Sequence, residues 1–248
     1  MRNVPTLLRR ELNAYFASIV GYIVMVFFLV VMGVTFGVIV NFLMQGPTQF
    51  TATKIMFSMF WLPSLFIVPA ITMRLLAEEK RSGAIEMLMT APVTELEVVL
   101  AKWLGAVALY SLMWGFTALY VLILGYFSRG LGTLDYGPVA AGYVGVLVVG
   151  QFLIAIGVLA SSVTKNQVVA ALMAFAALFL FLVVVGLWLP WMVKEPELAK
   201  FIKAVSATEH MEDFARGLVD IRPLVLYASG TVFALFLTTR IVESRKWR

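Results

Sequence analysis

The chain has 248 residues, 62% of them hydrophobic and 13% charged, with a mean hydropathy of +0.96. Soluble domains carry about 25% charged residues, so most of this chain is expected in lipid, with little left for a soluble catalytic domain. The net charge of +5 is scattered over span ends, which excludes a nucleic-acid surface; with no cysteine and a lone His210, disulfides, thiolate sites and histidine metal clusters are also excluded.

Residues 1–18 place Arg9 and Arg10 beside a partial apolar stripe of Leu7, Leu8 and Leu12, ahead of Tyr15 and Phe16. This predicts a short amphipathic helix at the membrane interface. The apolar run that follows is too long for a signal-peptide core and lacks a small-residue cleavage site, so it reads as an uncleaved anchor. Span 1 is expected at about Ile19–Phe42, with Gly33 and Gly37 spaced for ordinary helix packing. Asn41–Lys54 is an outside loop. Span 2 is expected at about Ile55–Leu76, bent by Pro63 and Pro69, with Arg74 reaching back to the surface.

A long polar interruption follows, Met73 to Trp103. Charge is dense at its start: Arg74, Glu78, Glu79, Lys80 and Arg81. Ser82-Gly83 breaks the pattern and predicts a new short helix over about 82–90, capped by Ser82. Ile85, Leu88 and Met89 fall at one-sided helical spacing around Glu86, and Thr90 is its last residue. Pro92 ends it, because proline disfavours helix at the residue before it. Thr94-Glu-Leu-Glu97 fits a capping box for the next helix. Taken alone, this is a capped loop or a docking element.

Span 3 is expected at about Val98–Tyr126, long enough to tilt or to extend beyond the core. Phe127–Pro138 is an outside loop. Span 4, about Val139–Val163, carries Gln151 near its middle, where an amide is expected to join helices. Lys165-Asn166-Gln167 is a tight turn. Span 5, about Val168–Trp188, offers Ala170, Ala174 and Ala177 for close packing; Trp188 and Trp191 fit an interfacial belt and Pro190 ends the helix. The outer loop, about 192–222, is expected to hold short helices, one starting near Thr208, with His210 at a surface or interface. Span 6 is about Leu224–Val242, and 243–248 is a basic tail.

With the N-terminus inside, 12 lysines and arginines lie on inside segments and 7 on outside ones, five of those in or beside one long loop. Both termini and the 73–103 segment are therefore expected in the cytoplasm. No phosphate-binding G-x-x-x-x-G-K-[ST] loop, HExxH, GxSxG or mid-depth carboxylate pair is present.

Residues 78–106, EEKRSGAIEMLMTAPVTELEVVLAKWLGA, resemble the segment between the second and third spans of ABC-2 type permeases, and more narrowly that of the gliding-motility type of ABC exporter. Phe214, Gly217 and Asp220, followed by Glu243-Ser-Arg-Lys-Trp247, resemble the end of the same family. The resemblance implies an all-α integral membrane protein with six transmembrane helices, an ABC-2 (type V exporter-like) permease over residues 19–242, behind a connecting helix at 1–18. It implies a coupling helix at about 82–90 that docks into a separate ATPase subunit. There Glu78, Glu79, Arg81 and Glu86 would supply polar contacts, and Ile85, Leu88 and Met89 an apolar grip. The cofactors ATP and Mg would be bound by that partner, none by this chain. The implied partners are an ABC ATPase dimer, a second permease copy or sister permease, and the lipid bilayer of the cell (inner) membrane. An uncoupled scaffold or assembly factor shares the same hydropathy. An ion-coupled carrier is disfavoured by the absence of mid-depth acidic residues and of repeated halves.

Overall fold

The structure, a computed structural model, describes residues 3–44, 52–83, 93–127 and 135–244. In lipid a backbone amide has no water to bond, so a spanning segment must complete its own ladder as a helix. Among the described residues there is no strand. Six helical stretches are long and apolar enough to cross a membrane: Ile19–Asn41, Trp61–Ser82, Glu95–Tyr126, Tyr136–Val163, Gln167–Met192 and Ile221–Glu243.

The first helix, α1 (Val4–Phe16), has Pro5 in its first turn, where an amide would have no intrahelical partner. Leu7, Leu8, Leu12 and the buried Tyr15 share one side, and Arg9 and Arg10 stay exposed. After α1, helix α2 (Ile19–Met44) rises with much of its surface open, including Ile19, Ile23, Val26 and Val30. Among the described residues the packing expected at Gly33 and Gly37 is limited to a side-chain contact at Gly33. Gly33 meets the Tyr120 hydroxyl 3.4 Å from an ideal Cβ, and nothing described comes within 4 Å of Gly37.

Span 2 is not one bent helix. It is broken into α3 (Ala52–Ser58), α4 (Trp61–Thr72) and α5 (Ala77–Ser82), separated by turns at Met59-Phe60 and Met73–Leu76. The breaks fall before Pro63 and after Pro69, not at the prolines, so the membrane-crossing part sits further along the chain than expected.

Span 3 joins α6 (Glu95–Phe116) to α7 (Ala118–Phe127) through Thr117, whose hydroxyl donates to Trp114 O at 2.6 Å. Its 32 residues reach roughly 48 Å at 1.5 Å per residue, well beyond a ~30 Å core. A stretch of that length overhangs the hydrocarbon at one end or both. Helix α1 lies across α6 at Gly105, where a Cβ would come 3.0 Å from Cβ of Glu11.

Span 4 is a single helix, α8 (Tyr136–Val163), and the hub of the bundle. Val146, Val149, Leu153, Ile154 and Val158 are fully buried, with α4, α6 and the spans that follow packed around them. Gly150 makes this possible: a Cβ there would stand 2.2 Å from the Tyr110 ring of α6. At Gln151 the joint to span 3 uses the backbone. Its carbonyl, not its side-chain amide, accepts from Trp103 Nε1 at 3.0 Å.

Span 5 begins with α9 (Gln167–Leu178), capped by Asn166, whose Oδ1 accepts from the amides of Val168 (2.9 Å) and Val169 (3.5 Å). Ala170 and Ala174 are buried as their spacing predicts. The helix then widens to π winding over Phe179–Trp188, with the Leu189 amide bonded to Val184 O. Pro190 was expected to end the span. Instead the chain continues through α10 (Leu189–Met192). In α winding Gly186 O would receive the amide of residue 190, which proline lacks; here it accepts the hydroxyls of Thr208 (2.7 Å) and Ser206 (3.3 Å).

Those hydroxyls come from the insert between spans 5 and 6, α11 (Pro196–Val205) and α12 (Ala207–Ala215). Ser206, not Thr208, caps α12, accepting from the Glu209 amide at 3.3 Å. Helix α12 is seated in the bundle, burying Ala207, Met211 and Phe214. His210 is only 8% exposed, with Nδ1 2.8 Å from the hydroxyl of Tyr227 on α13 (Ile221–Glu243). It belongs to an internal interface, not the surface.

Candidate functional site

At the end of the bundle where α1 lies on α6, three helices bring charge into the interior. Lys102, two turns inside α6, is 3% exposed; its ammonium donates to Glu11 of α1 at 2.9 Å and to Glu79 of α5 at 2.7 Å. One cation thus holds two carboxylates from elements far apart in sequence. The second Glu79 oxygen is buried with no hydrogen-bond partner among the described residues. A cavity of about 160 Å³ opens beside the cluster, walled by Arg10, Glu11, Tyr15, Arg74 and Glu78. Arg74 reaches the α1–α2 corner, donating to Ser18 Oγ at 2.9 Å, and lies 3.9 Å from Glu78. The Tyr15 hydroxyl donates to Ile71 O at 3.1 Å. Burial, reinforced by Glu11, pushes its pKa well above the ordinary phenol value, so it stays a neutral donor.

The chain leaves span 2 through α5 and returns through α6, and both ends are fastened. On the outgoing side Lys80, 5% exposed, donates to the carbonyl of Ser162 on α8. The Ser161 hydroxyl accepts from the amides of Leu76 and Ala77, each at 3.1 Å, and donates to Met73 O at 3.2 Å. On the returning side Thr94 and Glu97 form both bonds of a capping box: the Glu97 amide to Thr94 Oγ1 at 3.3 Å, and the Thr94 amide to Glu97 Oε2 at 3.2 Å. The other Glu97 oxygen accepts from the Asn3 amide at 3.5 Å, bringing in α1.

The segment expected to dock divides between described and undescribed residues. Glu78, Arg81 and Ser82 are exposed on α5. Glu79 is not displayed with them. It turns inward, because a lysine as buried as Lys102 requires a counter-charge. Ser82 is the last residue of α5, its hydroxyl donating back to Glu79 O at 3.4 Å; the short helix expected to follow it lies outside the described residues. Gly83 ends α5 at φ 74°, a left-handed conformation that suits glycine. Ile85, Glu86, Leu88, Met89, Thr90 and Pro92 lie outside the described residues. Sequence reasoning missed Glu11, Lys102, Ser161 and Ser162 as members of this site. Their only signal was polarity in otherwise apolar stripes.

Six helical spans in a bundle whose hub is α8, ending in this fastened, charged corner, define a multi-pass membrane protein. Residues 24–245 match the family model described as ABC-2 family transporter protein. The chain therefore belongs to the ABC-2 transporter family and is a membrane component of a transporter. A search of curated proteins finds no match to it.

Proposed function

We propose that this chain is the permease subunit of an ATP-driven ABC-2 exporter of the gliding-motility type, located in the cell (inner) membrane. A separate ABC ATPase dimer binds ATP and Mg and engages the segment of about 82–90 as a coupling helix. A second permease copy or a sister permease completes the pathway, because six spans make half a pore in this family. ATP-driven closure of the ATPase moves the coupling segment, and spans 2 and 3 tilt on either side of it. The work comes from the differential binding of two states.

The observation that supports this best is the fastening on both sides of residues 84–92. A load there passes into α5, held by Lys80 and Glu79, and into α6, held by the capping box and Lys102. An unloaded loop needs no such anchorage. The test is a pull-down from gently solubilised native membranes, comparing the natural chain with Glu86→Lys plus Leu88→Asp. An ABC ATPase is expected with the natural chain and lost with the double variant, while the variant still inserts in the membrane. Absence of any ATPase from the natural chain would remove the coupling role.

A further inference from the structure

The bend of span 2 at Met73–Leu76 has a specific cause. In a continuous α-helix the Ala77 amide would donate to Met73 O. Here a hydroxyl from another helix stands between them: Ser161 Oγ accepts from Ala77 at 3.1 Å and donates to Met73 O at 3.2 Å, while also accepting from Leu76 at 3.1 Å. Insertion of a side chain into the ladder is a recognised cause of a sharp kink. Ser161, Leu76 and Ala77 are all fully buried, so water has no ready access to replace that hydroxyl. One turn further along α5, Lys80 donates to Ser162 O. This is one of the last four carbonyls of α8, which lack an intrahelical partner and favour a cation. Helix α5 is therefore tied to the last turn of α8 at two successive levels.

We propose that Ser161, with Lys80 as a second tie, is a positioning residue for coupling. It splints the angle between α4 and α5, so that displacement at Glu78–Gly83 is delivered to α8, the hub of the bundle, instead of being absorbed by the bend. The bend has two arrangements, hydroxyl inserted or ladder closed, and the serine selects the first. This inference rests on the reading of the 82–90 segment as the ATPase-facing element, and deepens it.

The chain has no cysteine, so spin labels at Arg81→Cys and Val163→Cys, both exposed positions, report the distance from α5 to α8 in lipid nanodiscs. The natural background is expected to give one narrow distribution. Ser161→Ala is expected to broaden or shift it, and Ser161→Thr, which keeps the hydroxyl, to restore it. Ser162→Ala is expected to change nothing, because that hydroxyl bonds Leu159 O within its own helix and its carbonyl remains for Lys80. An unchanged distribution in Ser161→Ala overturns the splint. Should that variant fail to insert, Lys80→Met is measured instead, and an unchanged distribution there overturns it equally.

In the co-purified complex, Ser161→Ala is expected to retain the ATPase yet lose about fivefold of the permease-dependent ATP hydrolysis, the effect of one lost net hydrogen bond on a two-state balance. Broadened distances with unchanged hydrolysis overturn the positioning role. If the natural chain itself retains no ATPase, the exporter reading fails, while the distance measurement still decides whether the splint exists.

Discussion

Lys102 and Glu79 lie 2.7 Å apart, the start of span 3 bonded to the last helix of span 2 across an interior almost closed to solvent. Glu11 shares the same ammonium at 2.9 Å. Removing the cation leaves two carboxylates facing each other. Lys102→Met is expected to destabilise the chain by ~3–5 kcal/mol, the usual cost of stranding a buried charge. Adding Glu11→Gln and Glu79→Gln should recover most of that loss. Thermal unfolding in detergent, followed by the fraction still monodisperse after heating, checks both; a triple variant no more stable than Lys102→Met alone would argue against the shared pairing.

On α12, Thr208 satisfies the carbonyl that Pro190 leaves without an α-helical amide. Thr208→Val keeps the shape and removes the donor, with an expected cost of ~1 kcal/mol, softened by the bond Ser206 also makes to Gly186 O. Faster hydrogen exchange is expected over residues 207–215 and none over α9. The double change Ser206→Ala plus Thr208→Val should cost more than either alone, because it removes both hydroxyl donors to Gly186 O and the cap of α12 as well.

Burial lowers the His210 pKa below the ordinary histidine value, although Asp213 and Asp220 pull it back up. In the pH range between the folded and unfolded values the unfolded chain binds a proton that the packed imidazole refuses, so stability rises with pH there. The seating of α12 on Tyr227 is expected to be complete above about pH 6.5 and to weaken on acidification. His210→Gln, which cannot titrate, should flatten the difference in unfolding midpoint between pH 7.5 and 5.5. An equal pH dependence in both proteins would assign the effect to other groups, Glu209, Asp213 and Asp220 among them.

Thr94→Ala removes the side-chain acceptor of the capping box and is expected to cost ~1 kcal/mol. The loss should appear as increased exchange of the amides of residues 95–97, with α1 loosened in turn because Glu97 also holds the Asn3 amide. Thr94→Ser, which keeps the acceptor, should behave as the natural chain.

What the sequence made legible is what a short window contains. Each span is an apolar run of sufficient length, and the capping box is written in four consecutive residues, Thr94 to Glu97. The anchors of the charged corner are not local. Glu11 and Lys102 are 91 residues apart, and Ser161 is 85 from Leu76. Periodicity has no reach over such separations, so nothing in the windows around Lys102 or Ser161 marks either as an anchor. Span 2 failed for a related reason: Pro63 and Pro69 marked strain, but the break after Pro69 was decided by a hydroxyl on another helix. Thr208 had plausible cap chemistry, yet it donates to a carbonyl while Ser206 caps the helix.

The bond from Thr208 to Gly186 O has a thermodynamic corollary. The carbonyl that holds α12 lies inside the π-wound stretch Phe179–Trp188, so the pitch of span 5 and the docking of α12 draw on the same acceptor. Two processes that share a group are linked, and linkage is reciprocal. A ligand or lipid that tightens α12 favours the present winding by the same free energy with which that winding favours the ligand. Rewinding span 5 would have to loosen α12 to the same degree.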